Sequence, residues 1–376
     1  TNAEPLRLSN APSVQHSPAA ASLGGRTIRV WRAGDGNGSI EAAIDGGDRV
    51  VVSPENGEYQ HDPDVAAIGD VAWIVWRSDT RLLRRVLGVR IDASGNRLDP
   101  DPIVIDQEAT LPVAPSIDRV SIATDGQAFL VAWSSRYVVN AKRIAKDGSV
   151  IDAEPITASH LDYFLTNDVK AVWTGTTYVV VFAFEDNGLT LHPLLSEVEL
   201  FAARISSSGV TLDAAENRKV YDEPGATLGD LSAAAGGGRV VIAFSELPST
   251  VDSILYDLRT VAISSDPPVP VASRIIAQVP YPFTYGIPDL DIAARGDTFL
   301  VAWTQDGPNG SQVRAQLLDR GGSFVVSQDD AYDVAVSSGA NGFSLTYART
   351  DAEALDVAQL FTRDVVLTPA RHRAVQ

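Results

Sequence analysis

Four of the five histidines, His16, His61, His160 and His192, stand in polar stretches between apolar segments. Imidazole changes charge near neutral pH, so each can act as acid, base or metal ligand. His61 has Tyr59 two residues before it, and His160 is followed by Tyr163 and Phe164. Tyr281, Phe283 and Tyr285 cluster in the segment YPFTY. Exposed rings of this kind suit stacking on sugars or peptide side chains. Arg81, Arg84 and Arg85 form a basic run in an acidic chain, with Arg136 elsewhere. A histidine base beside an arginine that neutralises a sugar carboxylate is what a polysaccharide lyase needs. The catalytic candidates are therefore His61, His160, Tyr59, Tyr163, Arg81 and Arg136. The ligand-binding candidates are Tyr281, Phe283, Tyr285, Tyr163, Phe164, His16 and His192. A hydrolase would need two carboxylates at a fixed separation, and 48 acidic residues do not single out a pair. Asp35, Asn37 and Ser39 alternate in GDGNGS as the oxygen ligands of a calcium loop do. No acidic residue closes that loop at the expected end, and a glycine-rich turn is the competing reading.

These side chains must be positioned by a repeat. Seven short apolar cores end on an aromatic: TIRVW at Trp31, AWIVW at Trp76, FLVAW at Trp133, YVVVF at Phe182, VVIAF at Phe244, FLVAW at Trp303 and FSLTY at Tyr347. A tight turn such as Leu23-Gly24-Gly25 precedes most of them, glycine supplying the positive φ that short hairpins need. A second hairpin follows, clearest in Gly88–Asp99, Ala141–Asp152 and Ala203–Asp213. Each copy is thus four short strands, here called a to d. The copies cover residues 17–54, 62–106, 119–159, 168–221, 230–278, 289–328 and 333–370.

The copies resemble the blades of β-propellers over nearly the whole chain. None of the named repeat signatures is present: no WD ending, no paired-glycine kelch pattern, no sialidase-type Ser-x-Asp-x-Gly-x-x-Trp box, no integrin-type calcium repeat. The resemblance implies an all-β fold, one domain forming a single seven-bladed β-propeller of four-stranded antiparallel blades, and it carries no catalytic residues. Continuously apolar b strands such as Phe299 to Trp303 suit sheets covered on both faces. Two separate all-β domains are the alternative, but no linker-like tract divides the chain. Residues 3–9 look like an outermost strand and are expected to close the ring in the last blade. Val365–Ala370, VVLTPA, competes for the same place.

In such a ring the b–c and d–a loops share one face. They are the longer and more variable loops, so that face is expected to bind. It should carry His16 and His61 as neighbours, and His160 with His192 across the ring. An aspartate precedes the inner strand in five copies: Asp64, Asp168, Asp230, Asp289 and Asp333, with Ser17 and Arg119 in the other two. Recurrence of this kind reads as scaffold, each carboxylate bonding backbone N–H groups of a neighbouring blade, rather than as a cation-holding ring.

The formal charge of -18 argues against nucleic acid and anionic membranes as partners. There is no Cys and no Met, even at position 1. A processed, exported protein is expected, whether secreted, periplasmic or on a cell surface, with no membrane insertion, no cofactor beyond that calcium possibility, and a monomeric state. The expected function is a carbohydrate- or protein-binding module using the loop-rich face. A lyase or glycoside hydrolase on that face, and a structural domain of a larger surface protein, are the alternatives.

Overall fold

A computed structural model describes residues 5–8, 15–45, 47–109, 119–135, 138–159, 165–185, 197–213, 218–248, 255–280, 287–307, 310–328, 330–339, 341–351 and 357–367. Regular structure among them is entirely β-strand, in seven four-stranded antiparallel sheets. Six of the sheets take their strands in chain order. Blade 6 is typical, with strand a at Leu290–Arg295, b at Thr298–Gly307, c at Gly310–Leu317 and d at Phe324–Ser327. Gly296, at φ 63°, makes the turn from a to b.

Strand b is covered on both faces. Phe299, Leu300, Val301 and Ala302 are fully buried and Trp303 nearly so. Seven apolar clusters account for this, each drawn from two successive blades, and the seventh joins blade 7 to blade 1. Sheets that pack face to face around a closed circle have no free inner face, which is why the alternation usual in antiparallel strands is missing. The chain is a seven-bladed β-propeller.

The last blade is completed by the other end of the chain. Its strands a, b and c are Ala331–Gly339, Gly342–Asp351 and Val357–Val366, and its outermost strand is Leu6–Arg7. Leu6 pairs with Thr362 and Arg7 with Phe361, and the Leu8 N–H donates to the Leu360 carbonyl at 2.8 Å. Val365 and Val366 do not begin a competing outer strand. They end strand c, opposite Phe343 and Gly342, which leaves its outer edge open to the N-terminal residues.

The seam between blades 7 and 1 differs in chemistry from the rest. Its apolar cluster has six buried members, including Leu8, Trp31 and Leu360, where the other six clusters have between 11 and 17. Polar contacts take over. The buried Arg29 of blade 1 donates to Thr346 Oγ1 at 3.1 Å, Ser344 Oγ at 2.9 Å and Thr362 Oγ1 at 3.2 Å, all in blade 7. Burial pushes its guanidinium below the usual value, against the pull of Asp45 and Asp364.

The second hairpin carries a recurring staple. Arg90, Arg143 and Arg204 each bind the aspartate nine residues on (Asp99, Asp152, Asp213) through side chain and backbone N–H. The first two also reach a c–d turn carbonyl in the next blade, at Lys146 and Ser207. Gly148 must stay small here, since a Cβ would stand 2.9 Å from the Arg90 guanidinium.

Candidate functional site

The inner strands surround a channel of about 290 Å³. At its mouth on the b–c and d–a face the first tier comprises Ser17, Asp62, Arg119, Asp168, Asp230, Asp289 and Asp333, one from each blade. Each stands 14 residues before the aromatic of its strand b, as Asp289 does before Trp303. Asp64 is therefore not in this tier. It lies one pleat deeper, level with Ser121, Lys170, Ser232 and Asp291, and Asp62 takes the rim of blade 2. Asp62 sits at a register shift between His61 and Asp64, at φ 45° with Pro63 after it. Ser17 and Asp333 sit at matching bulges with φ near +49° and +48°. Bulges re-aim side chains at a sheet end, here toward the channel mouth.

The carboxylates hook successive blades together. Asp230 accepts from the Leu290 N–H at 2.9 Å, Asp289 from the Val334 N–H, and Asp333 from the Ser17 N–H at 3.0 Å. In the second tier Asp64 accepts from Ile122 N–H at 3.0 Å and Asp291 from Val336 N–H at 2.7 Å. The scaffold reading of the recurring aspartates thus has a geometric basis. Two cations are set among them. Arg119 lies 3.8 Å from Asp168 and 3.4 Å from Asp230, and Lys170 lies 3.8 Å from Asp64. Against seven aspartates they leave the channel negative. Burial, opposed by Arg119 and reinforced by Asp230, pushes the Asp168 carboxyl up to about 6. Burial, then Asp230 and Asp333, raise Asp289 well above the carboxylate range.

A second cavity of about 440 Å³ opens on the same face, at the 6–7–1 corner, and meets the channel at Asp289 and Asp333. Its walls carry two rings, His16 and Tyr332, with centroids 6.5 Å apart and planes tilted by 41°. His16 Nδ1 stands 3.5 Å from Asp333 Oδ2. Thr304, Gln305, Ser311 and Thr350 add neutral hydrogen-bonding groups. Carboxyl groups come from Asp289, Asp306, Asp330 and Asp333, and among the described residues neither Lys nor Arg reaches the wall. His16 belongs to the ligand-binding candidates read from the sequence. Tyr332, Asp306 and Asp330 do not. The long d–a and b–c connections of blades 6 and 7 were the available signal, and only ring closure brings them beside blade 1.

The remaining candidates are dispersed or outside the described residues. The Tyr59 and His61 rings touch at a tilt of 51°, with centroids 3.8 Å apart, and Arg32 lies 5.2 Å from the Tyr59 ring. Burial, with Arg77 and Arg32 nearby, pushes His61 down to about 3. An imidazole held this low is a weak proton acceptor. His61 does not line the cavity that holds His16. Arg81 is exposed on the b–c hairpin of blade 2, and Arg85 is paired with Glu58. The Asp35–Ser39 loop is organised by Arg32, which donates to the Gly36 carbonyl at 2.5 Å and the Gln60 carbonyl at 2.8 Å. Ser39 Oγ donates to Glu41 at 3.2 Å, and Asn37 offers its carbonyl to the Gln60 N–H at 3.1 Å. No group of three or more potential metal ligands occurs among the described residues. Arg136, His160, Tyr163, Phe164, His192, Tyr281, Phe283 and Tyr285 lie outside those residues.

No protein-family model matches the chain, and no curated protein matches it in sequence. Solved structures resemble it in shape. The β-propeller domain of the Trilobed protease from Pyrococcus furiosus overlays with a TM-score of 0.51 at 10% identity, over 93% of this chain and 96% of that one. The SapL1 lectin, solved with alpha methyl fucoside, gives 0.47 at 11% identity over 83% and 95%. Trypanosoma rangeli sialidase gives 0.47 at 10% over 96% and 59%. The first overlay shows a shared propeller fold. That domain has an open velcro topology, whereas here Leu6–Arg7 pairs into the last blade.

Proposed function

We propose that the chain is a binding module that holds a carbohydrate on its b–c and d–a face, in the cavity at the corner of blades 6, 7 and 1. The observation that carries this reading is the combination found there: about 440 Å³, two tilted rings, and a wall of hydroxyl, amide and carboxylate groups. Sites for small ligands have this size. Sugar rings present an apolar face for stacking and a rim of hydroxyls that carboxylates, amides and hydroxyls bond. A folded protein partner would call for a broader apolar centre than this polar cleft offers.

Glycoside hydrolysis at the same place is the second reading. Asp289 favours it, because a carboxyl that burial, Asp230 and Asp333 push upward, next to the second carboxyl of Asp333, is the pairing that general-acid chemistry uses. A lyase acting on acidic sugars fits less well, since the cleft has carboxylates where that substrate needs cations. The test is one assay on neutral, acidic and amino-sugar polymers that records retention of the protein and release of reducing or unsaturated ends. Retention that His16→Ala reduces supports binding. Release of reducing ends that Asp289→Asn abolishes moves the assignment to a hydrolase. Neither retention nor release rejects both.

A further inference from the structure

The cavity at the 6–7–1 corner has an electrostatic character that narrows its ligand. Among the described residues four carboxyl groups reach its wall, from Asp289, Asp306, Asp330 and Asp333, and no Lys or Arg does. Arg119 and Lys170, the cations of the adjoining channel, are engaged with Asp168, Asp230 and Asp64. The one ionisable base on the wall is His16, already directed at Asp333. Asp306 differs from the other three, because its side chain is exposed at the end of strand b of blade 6. Its backbone carbonyl accepts from Gln312 Nε2 at 3.2 Å, which fixes the residue without using the carboxylate. The Tyr332 ring supplies a π face in the same cleft, and a cation placed over such a face is attracted to it.

We infer that the cavity selects a sugar bearing a protonated primary amine, a de-N-acetylated amino sugar, over its acetylated, neutral and acidic counterparts. This inference rests on the carbohydrate reading above and adds the charge of the ligand to it. The ammonium sits between Asp306 and Asp330 and over the Tyr332 ring. The hydroxyls of the same sugar meet Gln305 and Thr350, the Thr304 and Ser311 hydroxyls being bonded to the backbone of Asp289 and Ala331. Acetylation removes the charge and adds bulk where the carboxylates stand. A uronic acid places a carboxylate against those of Asp306, Asp330 and Asp333. The lysine side chain of a peptide shares the ammonium, but it has no hydroxyl rim for the neutral groups of the wall and leaves most of about 440 Å³ unfilled.

The experiment is calorimetric titration of the full chain with glucosamine oligomers, the matching N-acetylglucosamine oligomers, cello-oligomers, oligogalacturonate and oligolysine at one ionic strength. The variants Asp306→Asn and Asp330→Asn are compared with Asp297→Asn and Asp319→Asn. This second pair removes the same charge from turns at the ends of other hairpins of blade 6, so it reports non-specific attraction to an acidic protein. The expected result is at least about tenfold tighter binding of the amine over the acetylated oligomer, lost in Asp306→Asn and kept in Asp297→Asn. Equal affinity for amine and acetylated forms would overturn the charge inference and leave the carbohydrate reading standing. Equal loss in both pairs of variants would overturn it as bulk attraction. Binding of oligolysine with no oligosaccharide bound would overturn both.

Discussion

Asp333, in the last blade, accepts a hydrogen bond from the backbone N–H of Ser17, in the first, at 3.0 Å across 316 residues of sequence. The same carboxylate faces His16 Nδ1 at 3.5 Å. One side chain therefore both closes the ring and lines the candidate site. Asp333→Ala leaves the Ser17 N–H without its acceptor, a loss of about 1–3 kcal/mol by the usual cost of an unmade bond. Asp333→Asn retains an acceptor oxygen and is expected to lose less. Urea denaturation of the two variants checks this, and equal losses would contradict it.

Arg29 is the second closure device. Its three bonds to Ser344, Thr346 and Thr362 stand where other seams have aliphatic side chains. Arg29→Ala strands those hydroxyls and opens a cavity, at a cost of about 2–4 kcal/mol. The unfolding midpoint reads this out. An effect no larger than that of an exposed arginine such as Arg81→Ala would show that the seam is held otherwise.

Asp168 sets one arm of the pH dependence. Its folded-state carboxyl is raised to about 6, burial being the main cause. The stability tied to a raised group is fully present below the ordinary carboxylate value near 3.8 and is lost as pH rises through about 6. Asp168→Asn should therefore raise the melting temperature at neutral pH and change it little near pH 4. Melts of both proteins across that range test the sign; a larger gain at the acid end would reverse the argument.

His61 works in the opposite direction. With its imidazole held down to about 3, the stability it contributes is present above the ordinary histidine value near 6.5 and falls as pH drops toward 3. Its ring resonances should show no titration between about pH 8 and 5. A midpoint for His61 near 6.5 would mean that burial and the two arginines do not exclude the proton.

The repeat itself was legible in the residues. Seven apolar cores ending on an aromatic, each followed by a hairpin with glycine at the turn, determine strands, blade count and fold, because that information is local and repeated. The scaffold role of the recurring aspartates was legible for the same reason. The misplacement of Asp64 by one tier was avoidable, since a constant 14-residue interval to the aromatic points to Asp62. Other features depended on tertiary structure alone. That His16 meets Tyr332 and Asp333, and that Asp306 and Asp330 share their cavity, follows from closing the circle, which joins residues more than 280 positions apart. That Arg32 binds the carbonyls of the glycine loop, and that burial with Arg77 and Arg32 lowers His61's proton affinity, are facts of packing. Local pattern specifies which segments pair as strands; which loops face one another is decided only when the first and last blades meet.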